Sequence, residues 1–77
     1  MDKKRKEQLR SAIQSIREMA AVVERLSDQE QDCVLNYPEN LQGTERFSNM
    51  EESLDDLYDA QQHLDEALEL LCAVAAR

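Results

Sequence analysis

Pro38 and Gly43 are the only proline and the only glycine of the chain, and they fall close together near its middle. No other residues interrupt a regular backbone so strongly, so a 77-residue chain with a single such break has room for two long elements. Before the break the apolar residues that keep a helical beat run Leu9, Ala12, Ile13, Ile16, Met19, Ala20, Val23, Leu26, Cys33, Val34 and Tyr37. After it they run Phe47, Met50, Leu54, Leu57, Ala60, Leu64, Ala67, Leu68, Leu71, Val74 and Ala75. Steps of three and four residues describe amphipathic helices, not strands, and so clear a period argues against disorder. The sequence therefore predicts one all-α domain over 1–77, with a helix at 2–36, a connector at 37–44 and a second helix at 45–75.

A connector of about eight residues makes the two helices antiparallel neighbours in a hairpin. Pro38 disfavours the helical conformation at Tyr37 and lacks the amide hydrogen an interior helical position needs. It suits the start of one short turn through Glu39, Asn40 and Leu41, which Gly43 would end. Thr44 is the expected N-cap, and Ser48 with Glu51 has capping-box spacing one turn later. Pro38, Gly43, Thr44 and Arg46 are read as the lock of the connector, with Arg46 paired to Glu39 or Glu30. The rival reading makes the connector a binding tip. Folding the chain about residue 42 brings Leu26 near Leu57, Ile16 near Leu68 and Ile13 near Leu71.

Written as heptads from Leu9, the first helix carries apolar residues at a, d and e, and the second at a, d and g. Two rods meet along one line, which is too narrow to cover stripes of that width. The expected remainder is Ile13, Ala20 and Val34 on the first helix and Ala60, Ala67 and Val74 on the second. Left in water it would form a continuous sticky edge. The sequence thus predicts self-association, most simply two hairpins closing into a four-helix bundle. The residues expected to carry it are Leu9, Ile13, Ile16, Ala20, Val23, Leu26, Val34, Leu54, Leu57, Ala60, Leu64, Ala67, Leu68, Leu71 and Val74. Glu30 and Gln61 interrupt the a positions and read as register devices.

The net charge of −8 is unevenly spread. Residues 1–25 hold seven bases against four acids, whereas residues 26–77 hold two bases against thirteen acids. Such acidity argues against general binding to nucleic acid or to an anionic membrane. The basic run Lys3, Lys4, Arg5 and Lys6 lacks interleaved aromatics and is expected to lie beside the carboxyl end of the second helix, near Glu69. Asp55, Asp56, Asp59 and Glu66 fall on the outer positions b, c and f. They keep that helix solvated or, in an alternative reading, imitate a DNA backbone so as to inhibit a DNA-binding protein or nuclease. No apolar run spans a bilayer and no secretory signal follows Met1, so a cytoplasmic protein is expected.

The chemistry-bearing residues do not assemble a recognisable catalytic pattern. His63, the only histidine, falls on the outer position c between Asp59 and Glu66, whereas a helix-bundle metal site needs Glu-x-x-His facing inward. The acids at Glu51, Glu52, Asp55, Asp56 and Asp59 match a Mg²⁺ nucleotide hydrolase only superficially. Such a site needs carboxylates converging from two or more helices, and the first helix supplies few inward ones. Cys33 and Cys72 lie at opposite ends of the hairpin and read as small buried hydrophobes. The expectation is a non-enzyme without metal or cofactor, whose partner is a second copy or another protein.

The run Asn36-Tyr37-Pro38-Glu39-Asn40-Leu41-Gln42-Gly43-Thr44-Glu45-Arg46, preceded by Asp28-Gln29-Glu30-Gln31-Asp32 and followed by Met50-Glu51-Glu52, resembles a family of short helical proteins. Its members occur in phages, prophages and other mobile elements of Gram-positive gut bacteria. They share an Asn-x-Pro-Glu-x-Leu-Gln-x-Ser/Thr-Glu-Arg connector followed by Met-Glu-Glu and an acidic helix. Asp56-Leu57-Tyr58-Asp59 departs from the more usual Asn-Leu-Glu-Asp run. The resemblance covers about residues 28–60 and implies an accessory protein of a mobile element. It implies no activity and no catalytic residue.

Overall fold

The computed structural model describes residues 1–77 as two antiparallel helices. Helix α1 spans Lys3–Leu35, a 3-10 turn spans Glu39–Leu41, and α2 spans Glu45–Ala76. The result is a rod 59 × 15 × 14 Å. The observed helices begin or end one residue away from three of the four expected boundaries. Asp2 caps α1, its carboxylate accepting from the Arg5 amide at 2.8 Å. Asn36 closes it, donating from both its amide and its side chain to the Asp32 carbonyl.

The connector is held by local hydrogen bonds. The Pro38 carbonyl accepts from the Leu41 amide at 2.9 Å, which sets the short turn. Thr44 works in two directions. Its hydroxyl donates to the Leu41 carbonyl at 2.7 Å and accepts from the Phe47 amide at 3.3 Å, satisfying one of the free amides at the start of α2. Ser48 lies inside α2, its amide bonded to the Thr44 carbonyl, so the cap falls at Thr44 and not one turn later.

Arg46 takes no part in the expected lock, and Gly43 follows the end of the short turn without a left-handed backbone. Arg46 is exposed and forms no ion pair with Glu39 or Glu30. Gly43 does not adopt a positive φ, and a Cβ built there would meet nothing within 4 Å. The turn is closed by Thr44 and the 3-10 hydrogen bonds, so it makes no demand for a left-handed residue. Gly43→Ala is therefore expected to raise stability by about 0.4–1 kcal/mol by restricting the unfolded chain. Thermal unfolding followed by circular dichroism would check this, and a lower melting temperature would contradict it.

The helices meet along a seam whose side chains step by three and four residues in mirrored order. On α1 the seam residues are Leu9, Ile13, Ile16, Ala20, Val23, Ser27, Glu30, Val34 and, just past its end, Tyr37. On α2 they are Phe47, Met50, Leu54, Leu57, Gln61, Leu64, Leu68, Leu71 and Ala75. The Tyr37 and Phe47 rings, 5.2 Å apart and tilted by 40°, fix the register at the closed end. Counting outward from that pair sets Ser27 opposite Leu57, Ala20 opposite Leu64 and Ile13 opposite Leu71.

The seam of α1 runs along positions a and e of the heptad, not a and d. Ile13, Ala20 and Val34, expected at an outer edge, lie inside the hairpin, and Ile13 is buried. The d residues Ala12, Met19, Leu26 and Cys33 are exposed instead. It is Ser27, fully buried, that faces Leu57, and Leu26 points away. Side-chain volume explains the choice. Helix α2 fills its side of the seam with leucines, so the opposing line must be small or β-branched for two rods to close without overpacking. Ala20 and Ser27 meet that need, and Met19 and Leu26 do not. The buried Ser27 hydroxyl donates to the Val23 carbonyl at 2.9 Å and is left without an unmet hydrogen bond.

Candidate association surface

A two-helix rod has two broad faces beside its seam, and here they differ in chemistry. One is lined by Arg10, Arg17, Glu24 and Gln31 of α1 and by Glu51, Tyr58, Asp65 and Cys72 of α2. Two clefts place these lines on a common side. The first, about 280 Å³, is bounded by Arg17 and Glu24 from α1 and Asp65 and Gln61 from α2. The second brings Arg10 and Arg17 beside Cys72, and the Arg17 guanidinium donates to the Cys72 sulfur at 3.3 Å.

The flanking lines on the opposite side follow from helical geometry. They are Ala12, Met19, Leu26 and Cys33 on α1 and Ser53, Ala60, Ala67 and Val74 on α2. None of these eight carries a charge. Met19 is 58% exposed and Leu26 is 49% exposed. Leu70, at 70%, extends the same side outward next to Ala67 and Val74. Ala60 and Ala67 are exposed, and Val74 is half-buried.

The residues read from the sequence as associating thus divide into two sets. Leu9, Ile13, Ile16, Ala20, Val23, Val34, Leu54, Leu57, Leu64, Leu68 and Leu71 line the seam within the hairpin. Leu26, Ala60, Ala67 and Val74 lie on the uncharged face or its margin. Met19 and Cys33 belong to that face too, although their d positions predict a place in the seam. Their signal was available: the α1 line that steps in mirror order to α2 passes through Ser27, which leaves the d line over.

Helix association also has a reason in the size of the core. Only Ile13, Ser27 and Phe47 are buried among 77 residues, and one of the three is a serine. A rod with so thin a core keeps much apolar surface in water and gains stability by covering it.

The polar groups elsewhere form no concentrated site. Glu30 and Gln61 are half-buried in the seam. Asp55, Asp56, Asp59 and Glu66 are exposed, and Glu66 faces His63 Nδ1 at 3.8 Å. The other ion pair joins Arg5 to its own cap, Asp2, at 3.4 Å, so the basic start of α1 makes no ion pair with Glu69. No three metal-ligating side chains converge. Cys33 and Cys72 are both free, Cys33 being exposed and not buried as expected. Neither helix is long and apolar enough to cross a membrane. The chain matches no protein-family model, no curated protein and no solved structure.

Proposed function

We propose that this chain is a small structural interaction protein that works as a homodimer and serves as an accessory factor of a mobile element. The observation that carries the dimer is the uncharged face built from Met19, Leu26, Ala60 and Ala67, set against a polar face on the other side of the same rod. Burying the first face against a second copy removes apolar surface from water and desolvates no charge on those lines. The mobile-element role rests on the resemblance carried by the connector, whose Pro38 turn and Thr44 cap are both formed.

Light scattering should give a mass about twice the 8.9 kDa of one chain. Replacing Ala60 and Ala67 together by glutamate should return the mass to that of one chain, with helicity retained because both residues are exposed. Tyr58→Glu, on the polar face, should leave the dimer intact. A single-chain mass for the unaltered protein at high micromolar concentration would overturn the reading.

The exposed carboxylates along the outside of α2 favour a second reading, an acidic mimic of the DNA backbone. Glu51, Glu52, Asp55, Asp56 and Asp59 are all exposed and none pairs with a cation. That reading requires salt-sensitive binding to a DNA-binding protein or nuclease, lost when these acids become amides.

A further inference from the structure

The uncharged face is not uniform in relief. At its middle levels the α1 side carries large residues, Met19 and Leu26, and the α2 side small ones, Ala60 and Ala67. In the register set by Tyr37 opposite Phe47, Leu26 stands level with Tyr58 and Met19 with Asp65. Ala60 therefore lies only about 3 Å along the rod from the level of Leu26, and Ala67 the same from Met19. Each bulge on one helix is matched by a hollow on the other, at nearly the same height.

Such relief selects how a second copy sits. We propose that two hairpins pair about a two-fold axis parallel to the helices, so that α1 of each lies over α2 of the other. Met19 and Leu26 of one copy then enter the hollows at Ala67 and Ala60 of the second. This proposal rests on the homodimer reading above and specifies its geometry. Rotation about that axis leaves every height unchanged and exchanges the two helices sideways. Leu26 thereby arrives over Ala60, Met19 over Ala67, Ala12 over Val74 and Cys33 over Ser53. The alternative axis, across the rod, lays α1 on α1 and α2 on α2. Large residues would then stand against large ones along one line while the alanine line gapes.

Both axes make every neighbouring pair of helices antiparallel, so the helix dipoles do not choose between them and the relief does. The whole side of the rod, 59 by 15 Å in outline, bounds the contact at roughly 900 Å², which leaves room for what each partner contributes to a standard stable interface. A second copy therefore fits both the relief and the extent of the face.

Disulfide trapping tests the arrangement. In a chain with Cys33→Ser and Cys72→Ser, the pair Leu26→Cys and Ala60→Cys should yield a product of doubled mass on a non-reducing gel under glutathione buffer. The pair Met19→Cys and Ala67→Cys should do the same, and guards against one pair disturbing the fold. Each single cysteine should trap at least tenfold less. Efficient self-trapping of Leu26→Cys alone would place α1 on α1 and overturn the arrangement. So would double variants that trap no better than single ones while light scattering still reports a dimer. A single-chain mass by light scattering would remove the arrangement and the homodimer reading together.

Discussion

Phe47→Ala is expected to destabilise the hairpin by about 3–5 kcal/mol, the range for removing a buried aromatic side chain. Phe47 is one of the two buried hydrophobic residues, and its ring rests 5.2 Å from that of Tyr37 where the connector turns the chain. The ring follows directly on the Thr44 cap, since the Phe47 amide itself donates to the Thr44 hydroxyl. Truncation thus removes the contact that closes the hairpin and leaves Tyr37 without its partner. A domain of this size has a total stability of roughly 4–12 kcal/mol, so a loss of that order takes a large share of it. Urea unfolding followed by circular dichroism at 222 nm would measure the change. The titration must be run at one fixed protein concentration, because an associating protein gains stability by mass action. A loss below about 1 kcal/mol would mean the two rings are not the clasp of the fold.

Ile13→Ala and Leu26→Ala form a paired test of which line of α1 faces α2. Ile13 is 5% exposed and lies opposite Leu71, and its truncation is expected to cost about 2–4 kcal/mol. Leu26 is an isomer of Ile13 and as apolar in kind, yet it is 49% exposed. At a concentration low enough to hold single chains, Leu26→Ala is expected to cost less than about 1 kcal/mol. At high concentration it should instead weaken association, because Leu26 belongs to the uncharged face. If Leu26→Ala proved the more damaging of the two in dilute solution, the seam would run along a and d and the description of both faces would fail.

Between these two residues lies the difference between reading a helix as a stripe and placing it against a neighbour. The all-α class, the antiparallel hairpin and the cap at Thr44 were legible in the residues. They depend on local matters: helical spacing, the missing amide hydrogen of Pro38, and a hydroxyl that reaches the first free amides of α2. Glu39–Leu41 forms the short turn for the same local reason. The ion pair expected of Arg46 does not form, because an exposed arginine loses little by remaining in water.

Sequence alone determined that two amphipathic rods would form and fold back on one another, since helical period and a single break act within a few residues of each position. Which edge of α1 would be enclosed was decided only in the tertiary structure. The leucines of α2 leave room for Ala20 and Ser27 but not for Met19 and Leu26, and a volume match across the seam is a property of two helices together. The uncharged face is the consequence of that choice, because the line turned away from the seam carries Met19 and Leu26 and no charged residue.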